Sequence, residues 1–247
     1  MTTTLGQESL IRAAARDNAH WCAAMCRVHG VQGEFGSDAW TAPRRTPLRY
    51  PDAVTLAPGT RASALVPRID TTMPGATVKD SFADLALADH GFTVLFEARW
   101  IHRPAGAPAR GPDEKWDVVR EPAALRAWAW AWSDGQDDEA DLFWPGLLTE
   151  PGVCVLAGTD SEGRVVAGAV ASVHESGDRD GVVGVVGVSN VFAADGDLTS
   201  AWPGVLDTVH ALFPGRPLVG YEQGDALTAA LHQGFAPIGP LRVWLHA

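Results

Sequence analysis

A chain of 247 residues has room for one large or two modest domains, and 46% hydrophobic with 20% charged residues excludes wholesale disorder. A net charge of -11 repels polyanions and anionic membrane surfaces, so neither nucleic acid nor membrane is expected as a partner. The same charge favours a neutral or cationic small molecule. Only two lysines occur, Lys79 and Lys115, so nearly all positive charge is arginine. The first residues carry no cationic flank followed by an apolar core, and three cysteines make no disulfide framework. A cytoplasmic monomer or homodimer is the expectation.

Apolar residues at helical spacing (Leu10, Ile11, Ala14, Trp21, Cys22, Met25, Val28) predict one amphipathic helix over 7–29, stopped by Gly30 and Gly33. Residues 35–52, rich in Pro, Arg and Trp, read as an ordered loop. A strand over 52–56 and a short helix over 62–69 follow, and 79–88 leads into a long strand over 92–102. The stretch 104–112 (PAGAPARGP) supports neither helix nor ladder and marks a boundary. Beyond it, 116–121 reads as a strand and 123–132 as a helix. Five acids in residues 134–141 read as a solvated loop.

Residues 153–157, 165–173 and 183–192 then predict three successive strands, with hairpin connections at 160–163 and 175–181. Trp202, Val205, Leu206, Val209, Leu212 and Phe213 form a helical face ended by Pro214-Gly215. A strand over 218–222, a short helix over 226–232 and a strand over 235–245 complete the chain. An antiparallel run followed by strand-helix-strand-helix-strand is an α/β arrangement with a mixed sheet and helices on both faces.

The two halves echo one another. Residues 87–99 and 231–242 each place Gly-Phe seven residues before an Arg, and each continues to Trp, an aliphatic residue and His. The first half therefore reads as a partial copy of the second that lacks its central strands. The predicted division is a partial N-terminal lobe over 1–103, a linker over 104–113 and a full C-terminal domain over 114–247.

From Val153 to His246 the order of elements and the ending Ala229-Ala230-Leu231-His232-Gln233-Gly234-Phe235-Ala236-Pro237 resemble the GNAT superfamily of N-acetyltransferases. The resemblance implies a GNAT-like acyl-CoA N-acyltransferase fold in two lobes. It implies transfer of an acetyl or other acyl group from acyl-CoA, with acetyl-CoA as the natural donor, to an amine of a small molecule. By position, Asn190, Val191, Phe192, Ala201, Trp202 and Gly204 would line the cofactor. Glu222 would be the base, and Tyr221 or His232 the acid that returns a proton to the departing thiolate.

One departure stands out. The family's Gln/Arg-x-x-Gly-x-Gly/Ala turn, whose backbone N–H groups cradle the coenzyme A diphosphate, is replaced by residues 190–204 (NVFAADGDLTSAWPG). Thr199 or Ser200 is expected to cap the following helix, and Pro203 deletes a backbone donor. Asp195 and Asp197 bring like charge toward the anion, at ~1 kcal/mol each in a high-dielectric mouth. The alternative function is therefore a GNAT-fold protein that has lost coenzyme A and serves as a ligand- or partner-binding scaffold, or that runs a different reaction in the same cleft.

In the first helix Cys22, Cys26 and His29 share a stripe, but with His20 they cannot close a tetrahedron from one helix, so buried structural cysteines are expected and no metal. Asn18, in line with Ala14 and Trp21 on the apolar face, must find a buried partner. Asn18 and Trp21 are candidates for substrate contact.

Overall fold

The computed structural model describes residues 3–106, 115–174 and 184–247. In chain order the elements are α1 (Thr3–Val28), β1 (Glu34–Phe35), β2 (Ala39–Thr41), β3 (Ala53–Thr55), α2 (Ala62–Leu65), β4 (Thr77–Asp80) and β5 (Phe92–Arg103). There follow β6 (Lys115–Val118), α3 (Pro122–Trp132), α4 (Asp137–Ala140), β7 (Val153–Thr159), β8 (Val165–Ser172) and β9 (Val186–Ala193). The last are α5 (Leu198–Leu212), β10 (Leu218–Glu222), α6 (Gly224–His232) and β11 (Ala236–His246). None of the described helices is long and apolar enough to cross a membrane.

The chain divides into two units, Met1–Trp100 with Ile238–Ala247, and Ile101–Pro237. This partition differs from the expected one at its end, because most of β11 groups with the N-terminal segment. The physical reason is its ladder: Arg242, Val243, Trp244 and Leu245 pair antiparallel with Asp80, Lys79, Val78 and Thr77 of β4. The boundary stretch 104–112 lies largely outside the described residues, as does the hairpin expected at 175–181.

In the first unit the strands run β1-β2-β3-β4-β11-β5. Helix α1 ends in a Schellman arrangement: Gly30 takes φ 73°, its N–H donates to the Arg27 carbonyl at 2.9 Å, and the Val31 N–H reaches the Cys26 carbonyl at 2.8 Å. The stretch read as a loop over 35–52 instead contributes β1 and β2, because Ala39, Trp40 and Thr41 find ladder partners in Thr55, Val54 and Ala53. The remainder is loop and is pinned by buried Asp52, whose carboxylate accepts from the Thr46 N–H at 3.0 Å and the Thr77 N–H at 2.8 Å. Leu65, Leu87, Phe92 and Trp244 are buried together in this unit's core.

In the second unit the order is β5-β10-β9-β8-β7-β6, with β5 represented by its last residues. Strands β6 to β9 form an antiparallel run, and β10 joins β9 in parallel. Helix α5 buries Trp202, Val205, Leu206 and Val209 with Val186, Val188 and Leu218 of the sheet. The acidic stretch 134–141 is not all loop: Asp137–Ala140 is a single helical turn, and Arg126 of α3 pairs with Asp137 and Asp141 at 3.0 and 2.5 Å.

Candidate functional site

The second unit carries the arrangement that the sequence placed at its functional centre. Strands β9 and β10 are joined by only two ladder pairs, Val186↔Leu218 and Gly187↔Val219. Gly220 still lies against β9, since a Cβ there would sit 2.8 Å from the Val188 carbonyl oxygen. Ser189–Ala193 of β9 and Tyr221–Glu222 of β10 have no ladder pair with each other. The strand pair is zipped at one end and unzipped at the other.

A bulge marks the unzipped part of β9. The pairing with β8 shifts between Gly168↔Phe192 and Val170↔Ser189, so two residues, Asn190 and Val191, stand opposite one. Asn190 takes φ 54°, the left-handed conformation that Asn tolerates better than most side chains. A bulge re-aims backbone groups and ends regular pairing, and such features gather at functional sites.

Glu222 closes β10 and is half-buried. Burial alone pushes its carboxyl up to about 7, because a carboxylate taken out of water loses solvation that no neighbouring cation returns. Tyr221 precedes it, and strand alternation sends the two side chains to opposite faces of the sheet. His232 is the last residue of α6 and is exposed. Asn190, Val191 and Glu222 thus belong to the unzipped part of the β9/β10 pair, whereas His232 stands at the far end of the helix that follows.

Four of the expected cofactor residues are committed to the core. Phe192 meets Trp128 edge-on at 5.2 Å, and both fit because Gly168 has no Cβ; one there would come within 2.5 Å of either ring. Ala201 and Trp202 are 1% and 2% exposed, and Trp202 packs on Phe235 at 4.9 Å. Gly204 faces the indole of Trp116, whose Nε1 would lie 1.9 Å from an added Cβ. The missing side chain at this position makes room for that indole.

The start of α5 also differs from the expectation. Asp197, and not Thr199 or Ser200, is the cap: its carboxylate accepts from the Thr199 N–H at 2.9 Å. The Asp197 N–H in turn donates to Asp195 Oδ1 at 3.0 Å. The Gly196 N–H bonds the Ala193 carbonyl at 3.0 Å and the Ser200 N–H the Asp197 carbonyl at 3.1 Å. Pro203 lies well inside the helix, so the donor it lacks is not one of those at the helix start.

These observations test an acyl-CoA piece by piece. The unpaired stretch of β9 and the bulge at Asn190 suit an extended, thioester-bearing arm that pairs with backbone. The β9–α5 turn does not suit a diphosphate. Its N–H groups at Gly196, Asp197, Thr199 and Ser200 are occupied by the chain itself. Asp195 and Asp197 are exposed there, and no Lys or Arg occurs between Arg179 and Arg216.

Sequence reasoning missed Ser189. Its Oγ is closed off from solvent without a hydrogen-bond partner, one residue beyond Val188 and beside the bulge. Its signal in the sequence is a lone hydroxyl in the apolar run 185–192. Asn18 and Trp21 belong to the first unit. Asn18 accepts from Lys79 Nζ at 2.7 Å, and Trp21 is 4% exposed with its ring edge toward Tyr50 at 6.0 Å. Both are thereby part of that unit's interior. Cys22 and Cys26 are buried as well, and burial raises both thiols, Cys26 to about 12. Among the described residues no group of three or more His, Cys, Asp or Glu could hold a metal ion.

No protein-family model matches the sequence, and no curated protein does. Solved structures do. A GCN5-related N-acetyltransferase from Kribbella flavida superposes with a TM-score of 0.58 at 14% identity, over 94% of this chain and 95% of that one. A putative acetyltransferase of the GNAT family from Novosphingobium aromaticivorans gives 0.52 at 14% identity, over 94% and 99%. Saccharomyces cerevisiae N-myristoyltransferase, with bound myristoyl-CoA, gives 0.50 at 11% identity, over 69% of this chain and 51% of that one. At these identities what is shared is architecture. The chain has the GNAT fold.

Proposed function

We propose that this protein transfers an acyl group from a thioester to an amine of a small molecule, with Glu222 as the base. The observation that carries the reading is Glu222 itself. A carboxyl pushed up to about 7 by burial ends a strand at the point where its ladder with β9 has stopped. A base poised near neutrality accepts a proton most effectively there. The amine nitrogen attacks the thioester carbonyl carbon, the C–N bond forms and the C–S bond breaks. The proton shed by nitrogen passes to the Glu222 carboxylate. The sulfur leaves as a thiolate and takes a proton from Tyr221 or His232, the two acids the reading retains.

Glu222→Gln removes the proton acceptor and keeps the shape, so turnover should fall roughly 100-fold or more with the donor Kd unchanged. In the native protein kcat/KM should rise with pH and level off above about 7. Turnover within a factor of about two of native in the Gln variant removes Glu222 from the mechanism. Tyr221→Phe and His232→Gln, assayed side by side, assign the acid.

A second reading, a scaffold that binds without turning over, is favoured by the self-capped start of α5. It predicts that native protein assayed against small primary amines with acetyl thioesters gives no product at any pH.

A further inference from the structure

The acyl-transfer reading leaves open how the donor is held, and the turn between β9 and α5 bears on that. Resting on that reading, we infer that the donor is taken up through its thioester-bearing pantetheine arm alone, with no grip on a nucleotide diphosphate. Three observations converge. The N–H groups of Gly196, Asp197, Thr199 and Ser200 are bonded to Ala193 O, Asp195 Oδ1, Asp197 Oδ1 and Asp197 O. The Ser200 hydroxyl is turned inward too, donating to the Asp197 carbonyl at 2.8 Å. The carboxylates that satisfy this helix end stand exposed, and the segment between Arg179 and Arg216 supplies no cation against them.

A diphosphate there would have to displace two carboxylates from bonds they already make, against their charge. The arm meets no such obstacle. The unpaired stretch Ser189–Ala193 of β9 is backbone without a ladder partner in β10, and an amide-bearing chain can add to it. The substrate class this selects is a thioester on a pantetheine-like arm, carried by coenzyme A or by a protein; the nucleotide is a passenger.

Calorimetric titration of the full chain with S-acetylpantetheine and with acetyl-CoA separates the possibilities. The expected result is two dissociation constants within about threefold of each other, with little dependence on salt for either. ADP, the diphosphate probe, should give no heat. Asp195→Asn with Asp197→Asn keeps a capping side chain at the helix start, so the fold is preserved. It should tighten acetyl-CoA about threefold or more and leave S-acetylpantetheine unchanged. A merely structural effect would move both.

Acetyl-CoA binding at least about tenfold tighter than S-acetylpantetheine overturns the inference. So does a double variant that binds acetyl-CoA no better. If that happens while Glu222-dependent turnover persists, the acyl-transfer reading survives and only the inference falls. If the two thioesters bind alike and neither is turned over, the reverse holds. If neither binds, both fall.

Discussion

Glu222 and Asn18 are both polar groups withdrawn from water, and they are handled in opposite ways. Asn18 was legible as a residue in need of a partner, since it interrupts the apolar face of α1; that the partner is Lys79 was not, because 61 residues separate them. A hydrogen bond to a charged group contributes about 1.5–3 kcal/mol, so Asn18→Leu should lower denaturant stability by that order. Glu222 receives no such compensation. Its folded-state value is raised from 4.5 to about 7, so the folded protein holds the proton more tightly than the unfolded chain. The neutral form's advantage is fully present below the unfolded value of 4.5 and is lost as pH rises through about 7. Glu222→Gln should therefore be more stable than native at pH 8, by the order of 2 kcal/mol, and equal to it at pH 4. Thermal melts at the two pH values check this. A Gln variant equally stable or less stable at pH 8 would mean that burial does not govern this carboxyl.

At the scale of elements, what repeats with a clear period was legible and what depends on distant partners was not. Strands β7 to β9, the apolar face of α5, and the long strands β5 and β11 follow from alternation and helical spacing within a few residues of the expected bounds. Strands β1, β2 and β4 did not, because two to four residues are too few for alternation to show: β2 and β4 are held by ladders with β3 and β11, and β1 by its pairing with β2. The same limit applies to Gly204. A glycine near the start of a helix after a long strand suggests room for a ligand, yet what occupies the space is Trp116, 88 positions earlier. Gly204→Ala should cost about 1–3 kcal/mol through overpacking, and part of that should return when Trp116→Leu is added. Denaturant midpoints of the two single variants and the double measure the coupling. Additive losses would show that the two residues do not share the space.

The mixed α/β character of the whole molecule was legible in the sequence, and the two Gly-Phe motifs that echo one another sit in similar local structure. Gly91 and Gly234 take φ 82° and 83°, each ahead of a buried phenylalanine, Phe92 or Phe235, and each leads into a long strand, β5 or β11. Each unit also holds a parallel strand pair of two ladder steps, Ala53↔Val78 and Val54↔Lys79 in the first, Val186↔Leu218 and Gly187↔Val219 in the second. What the sequence hid is the allotment of the last strand, because a linker read from Pro and Gly content marks where a chain bends and not which strands hydrogen-bond.

That allotment makes the polypeptide resistant to dissection. A cut after Pro104 would part β4 from the strand that hydrogen-bonds it and leave the second fragment with a surplus strand that has lost its ladder partner. Neither piece should fold alone. Expressed singly, each should be insoluble or protease-sensitive; expressed together, they should reassemble and restore the native melt. A recombination event that moved one half without the other would sever the β4–β11 ladder.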